Sequence, residues 1–135
     1  MGQFHSAAHL ASWAGLVPEC KESAGKKKST KIRKGNKTLK TTLVECACSA
    51  IRDKNSFFYA RYKKLSARRG GKRALVAIAH SMLLSIYSML KNNELFRDLG
   101  SNYFYEIDKD KILKRNIQSI QKMGFSVTIS EAEAG

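Results

Sequence analysis

Residues 74–90, ALVAIAHSMLLSIYSML, run for 17 positions without a charged side chain and are interrupted only by His80, Ser81, Ser85 and Ser88. A helix that is apolar nearly all round is stable only when other elements surround it. The stretch falls short of the roughly 20 apolar residues that span a bilayer, and the polar residues within it argue further against crossing one. It reads as the central helix of a helical core, and no membrane partner is expected.

The flanking segments supply the helices to cover it. Ser6 can cap a first short helix whose Leu10, Trp13 and Ala14 share one face, with Gly15 and Pro18 as its stop. Asn36 can cap a second, running to about residue 53, with Leu39, Leu43, Ala47, Ala50 and Ile51 as its apolar stripe. A third covers 55–69, with Phe58, Tyr62 and Leu65 inward, Arg61, Lys64 and Arg68 on the opposite side, and Gly70-Gly71 as its end. After Lys91 a connector holding Tyr103, Phe104 and Tyr105 leads to a last helix over 110–123, with Leu113, Ile117 and Ile120 as its face and Gly124 as its stop. The alternation of Phe125, Val127 and Ile129 fits a short strand, and the acidic end over 131–135 should be loose.

At 135 residues and 43% hydrophobic, with no internal repeat, the chain has material for one domain spanning 1–135. The expected class is all-α: a single compact helical domain of about five helices around a buried central one, with a basic loop and a short C-terminal strand. The N-terminus, MGQFHSAAHLASWAGL, lacks the basic start and long apolar block of a secretory signal, so it should belong to the fold and the protein should stay in the cytoplasm. Three cysteines are an odd number, and Cys46 and Cys48, two apart on a helix, point in different directions. They are expected to be reduced, small core-type residues.

Charge divides the chain. Residues 1–75 hold 18 of the 25 basic residues and 4 of the 11 acids, and residues 76–135 hold 7 of each. A solubility surface would not divide this way, whereas a binding face backed by a structural half would. The densest run is KESAGKKKSTKIRKGNKTLK, residues 21–40, with nine Lys or Arg and one Glu. From 17 to 34 it has no sustained apolar period, which suits an exposed loop or a short extended segment. Its natural partner is a nucleic acid, met by Lys26, Lys27, Lys28, Lys31, Arg33, Lys34, Asn36 and Lys37 and extended by Arg61, Lys64, Arg68, Lys72 and Arg73. At Asn36 the positive end of a helix would lie beside Lys34 and Lys37, which suits a phosphate as well as it suits an ordinary helix start.

The chemistry-bearing residues are few. Ser23 is a nucleophile only if a base takes its proton, and hydroxyls in polar loops more often cap or face water. Glu22 is adjacent in sequence, while His5, His9 and His80 could approach only through folding. His5 and His9 have a metal-binding spacing without a second pair of ligands, and His80 reads as a core histidine. Glu19, Glu22, Glu45 and Asp53, the acids of the basic half, show no two-cation pattern, and Gly70-Gly71-Lys72 lacks the context of a phosphate-binding glycine loop.

Six runs in one order carry a resemblance: SAAHLASWAGLVP, ESAGK, IRKGNKTLKTTLVECA, YARYKKLSARRGGKRALVAIAHSMLLSIYSML, FRDLGSNYF and GFSVTI. Together they closely resemble the C-terminal transposase domain of the one-ten family of bacterial insertion sequences, the serine-bearing, RNA-guided DNA recombinases. The resemblance implies that Ser23, in ESAG, attacks the DNA backbone and forms a covalent phosphoserine intermediate. Lys26, Lys27, Lys28, Arg33 and Lys34 would then neutralise phosphate oxygens as charge builds at phosphorus. It also implies a guide (bridge) RNA, full-length transposase subunits or further copies of the chain as partners, and a place in the bacterial cytoplasm at the nucleoid.

A full family member also carries a RuvC-like domain with a DEDD set of metal-binding acids, a linker and a helical hairpin, and Met1 matches an internal position of such a sequence. The chain therefore looks like a detached C-terminal domain. No metal or other cofactor is expected in it, and magnesium is implied only for the RuvC-like domain. Since the family's active site is composite, this chain alone is expected to bind nucleic acid without turnover. The alternative from a different class is a non-catalytic basic DNA- or RNA-binding module in which the serine is incidental.

Overall fold

The computed structural model describes residues 1–19, 21–23, 25–29, 31–130 and 132, and for 21–23 and 26–29 it describes the backbone alone. The chain divides into two units, Met1–Asn102 and Tyr103–Gly135. The first contains α1 (Ala7–Ala14), a two-stranded ribbon of β1 (Lys21–Ser23) and β2 (Lys26–Ser29), α2 (Lys37–Ala50), α3 (Phe57–Arg69) and α4 (Gly71–Asn92); the second contains α5 (Tyr103–Lys122). Helices dominate, as the all-α expectation has it.

In the first unit α4 is the centre, and α1, α2 and α3 all pack against it. The core joins Leu10, Ala11, Ala14 and Leu16 to Leu43 and Ala47 of α2, Phe58 of α3, and Ile78, Ala79, Leu83 and Tyr87 of α4. By length and composition α4 could cross a bilayer; here α1, α2 and α3 pack against it and bury Ala74, Ile78, Ala79, Leu83 and Tyr87, while Ile86 and Leu90 stay exposed, so the expected all-round burial holds only for part of the helix. Two of its serines bond within the helix: Ser81 Oγ donates to the Ala77 carbonyl at 3.0 Å and Ser85 Oγ to the Ser81 carbonyl at 3.1 Å, while Ser88 is exposed. Tyr87 Oη donates to the Phe4 carbonyl at 3.0 Å and ties the N-terminal segment to α4.

Gly70, at φ +83°, is the whole connection between α3 and α4, a conformation that costs glycine nothing. The two helices fold back on each other about it. Phe57 and Leu84, nearly equidistant from Gly70, line one groove, and Arg61 sits beside His80. Beyond α4 the segment FRDLG returns to α3. Asp98 Oδ1 accepts from the Phe57 N–H at 3.0 Å, and Phe96 stacks on Phe58 with ring centroids 5.8 Å apart.

Several expectations are corrected. Trp13 is 51% exposed and packs on the Phe4 ring, because α1 turns its small Ala11 and Ala14 inward and so approaches α4 closely. Cys46 and Cys48 are exposed thiols, since the inward positions of α2 are taken by Leu43 and Ala47. The last helix begins at Tyr103, ahead of the expected start, with Phe104, Asp108 and Ile112, four apart, as half-buried positions. Residues 125–129 form no strand: their alternation is strand-like, but among the described residues no neighbour pairs with their backbone. The expectation for 131–135 falls mostly outside the described residues.

Candidate nucleic-acid interface

The basic run is a ribbon. The Arg33 N–H donates to the Val17 carbonyl at 3.1 Å and the Glu19 N–H to the Lys31 carbonyl at 2.7 Å, with Pro18 opposite Ile32. Beyond them β1 and β2 pair antiparallel, Lys21 with Ser29, Glu22 with Lys27 and Ser23 with Lys26, with an irregularity between Lys21 and Glu22. A sequence with little to bury can hold this shape because its backbone groups satisfy one another across the ladder. Neither strand packs against a helix among the described residues.

Ser23 occupies the last paired position before a two-residue tip, where Gly25 is exposed with φ +74°. Two-residue hairpin connections favour glycine for this reason. The side chains of Ser23, Lys26, Lys27 and Lys28 lie outside the described residues.

The base of the ribbon is clamped. A Cβ on Gly15 would lie 2.8 Å from the Arg33 carbonyl oxygen, and one on Gly35 would lie 2.5 Å from the Ala14 carbonyl carbon, so only two glycines allow this crossing. The Asn36 N–H donates to the Trp13 carbonyl at 3.2 Å, and Arg33 Nη1 donates to Ser12 Oγ at 3.2 Å. Asn36 caps α2 by accepting from the Leu39 N–H at 2.9 Å, which puts the positive end of that helix beside the exposed Lys34 and Lys37. Lys31 is also exposed, on the strand returning to the base.

The second cationic group surrounds Gly70. Lys64 and Arg68 are exposed on α3, and Lys72 and Arg73 are exposed in the first turn of α4. Arg61 departs from the expected stripe. It is drawn into the α3–α4 seam, where its Nε is buried without a hydrogen-bond partner. Burial of His80, and then the Arg61 charge beside it, hold the imidazole pKa below its usual value.

Phe4 is fastened to Tyr87 in the C-terminal half of α4, and α1 packs against that helix. His5 and His9 are exposed, with ring centroids 5.9 Å apart. Among the described residues no group of three His, Cys, Asp or Glu could hold a metal ion. The glycine crossing and the Ser12–Arg33 bond escaped the sequence reading, although Gly35 directly before a helix cap was a visible signal.

A family model described as "Transposase IS116/IS110/IS902 family" matches residues 1–63. The transposase for insertion sequence element IS1111A of Coxiella burnetii (strain RSA 493 / Nine Mile phase I) is 35% identical over 102 residues, a match covering 70% of this chain and 27% of that protein. The chain thus aligns with only about a quarter of the length of this curated relative. No solved structure matches. The 1–63 match takes in α1, the ribbon, its glycine clamp, α2 and the opening of α3, and with this relative it supports a transposase domain of the IS116/IS110/IS902 family in this chain.

Proposed function

We propose that this chain is the DNA-gripping part of a transposase and that it delivers the Ser23 hydroxyl to a phosphodiester in a composite active site. The observation that carries the reading is the place of Ser23 at the end of a clamped ribbon rich in lysine. Attack by Ser23 Oγ forms an O–P bond while one bridging P–O bond of the DNA breaks. The serine proton passes through a base on the partner domain to the released deoxyribose oxygen, so the exchange conserves bond number and needs no oxidant. Lys26, Lys27, Lys28, Arg33 and Lys34 favour it by balancing charge that grows at phosphorus. In this reading any divalent metal would be held by the acids of another domain of the assembly. A guide RNA and other transposase subunits are further partners in this reading, and the setting is the bacterial cytoplasm.

The competing reading is a basic module that binds without chemistry. It is favoured by the place of His80, a candidate base, in the seam between α3 and α4. The two separate in one experiment: the chain is mixed with a full-length relative and labelled recombination-site DNA, and denaturing gels are examined for a covalent adduct. The expected adduct disappears in Ser23→Ala. Undiminished DNA binding with no adduct in the unaltered chain would leave the binding module as the function.

A further inference from the structure

We propose that Trp13 is a stacking platform for an unpaired nucleobase, with phosphates of the same strand held by the cations at the ribbon base. The inference deepens the nucleic-acid reading above and rests on it. Trp13 is 51% exposed, although it stands on a helix that packs against the centre of its unit. Phe4 braces it, with ring centroids 5.6 Å apart and planes tilted by 59°, and Phe4 is itself anchored through its carbonyl to the Tyr87 hydroxyl. The indole thus has a fixed neighbour while half of the residue's surface stays open. A ring held in this way loses little conformational freedom when a flat partner settles on it.

The surroundings of Trp13 select the partner. The Asn36 N–H donates to the Trp13 carbonyl at 3.2 Å, so standard bond lengths put the Lys37 Cα no more than about 11 Å from that of Trp13. Arg33 Nη1 donates at 3.2 Å to the hydroxyl of Ser12, the residue before Trp13. Lys34 and Lys37 are exposed on either side of the Asn36 cap, and the first turn of α2 holds no acid. An open aromatic ring among cations is the combination that grips single-stranded nucleic acid: bases offer their π-faces to the ring, and the phosphates between them meet the positive charge. An acidic peptide would meet the cations and leave the indole bare. In an intact duplex the faces of the bases are covered by their neighbours, so the indole takes a base only where the strand is unpaired. A DNA strand opened for exchange and an RNA strand both offer such a base.

Trp13 is the only tryptophan of the sequence, so its fluorescence reports on this residue alone. The full chain is titrated with oligothymidylate, with oligouridylate and with a blunt DNA duplex of matched phosphate number, and binding is followed in parallel by anisotropy of labelled strands. The single strands are expected to quench Trp13 emission in step with binding, and the duplex to bind without quenching. Trp13→Leu should weaken single-strand binding about five- to hundredfold, with Trp13→Phe retaining part of the affinity and the duplex losing less than about twofold. In Lys34→Gln, Lys37→Gln quenching at saturation should persist, while the log-log salt slope for a single strand falls by about 0.7 for each phosphate no longer neutralised. A stronger response to the deoxyribose or to the ribose strand supports the platform and names the strand that occupies it. Single strands that bind without quenching, or quenching that the duplex matches, overturn the platform while leaving nucleic-acid binding intact. Failure of all three to bind removes the nucleic-acid reading itself. Quenching is read on the unaltered chain, so the answer stands even where a Trp13 variant folds poorly.

Discussion

The backbones of Gly15 and Gly35 cross so closely that a Cβ on Gly35 would stand 2.6 Å from the Cα of Gly15. Real side chains do not reach that distance, and what they would meet is backbone, which cannot rotate aside. Gly35→Ala should therefore push the ribbon base off α1 and cost about 1–3 kcal/mol. Urea unfolding measures the cost. Limited proteolysis should find faster cleavage within 17–35 while helical circular dichroism stays unchanged, because the core around α4 does not depend on the crossing.

Asp98 Oδ1 serves the backbone in two places, accepting from the Phe57 N–H at 3.0 Å and from the Gly100 N–H at 2.6 Å. The first bond places a carboxylate at the positive end of α3, and the second shapes the turn that returns the chain to that helix. Asp98→Ala should lower stability by about 1 kcal/mol, with Asp98→Asn retaining most of it. Thermal unfolding of the two variants side by side distinguishes capping from a general effect of charge.

His80 has its pKa lowered by burial first and by Arg61 second. The folded chain then binds a proton less readily than the unfolded chain, so stability is full above the ordinary histidine value near pH 6.5 and falls as the pH drops below it toward the folded-state value. Unfolding midpoints measured between pH 7.5 and 5 should show this decline. In His80→Gln it should flatten, whereas in His5→Gln, an exposed residue, it should remain.

Ile78 is fully buried at 0% exposure and sits where α4 meets the other helices of its unit. Ile78→Val should cost about 0.5–1.5 kcal/mol and Ile78→Ala about 2–5 kcal/mol. A destabilisation near zero in denaturant unfolding of Ile78→Ala would mean that α4 is not the centre of this core.

Much of the helical half was legible without coordinates. The uncharged run over 74–90 marks its helix as central, since only packing partners can hide it, and Ser6 and Asn36 act as the caps their chemistry suggests. Local periodicity determined those features, because cap and stripe depend on residues three or four apart. The charge of residues 21–40 was equally plain.

Tertiary structure decided what local pattern leaves open. Arg61 has the spacing of an exposed stripe but lies in the α3–α4 seam, because the fold about Gly70 sets which side of α3 meets His80. Residues 125–129 alternate like a strand yet have no partner among the described residues, while the basic run, with no apolar alternation, is paired. Its pairing follows from backbone bonds between residues far apart in sequence and from two glycines twenty positions apart that let the chain cross itself. Composition therefore determined that this protein would have a cationic half and a helical core, and interactions distant in sequence decided that the cations would stand on a directed ribbon with Ser23 near its tip.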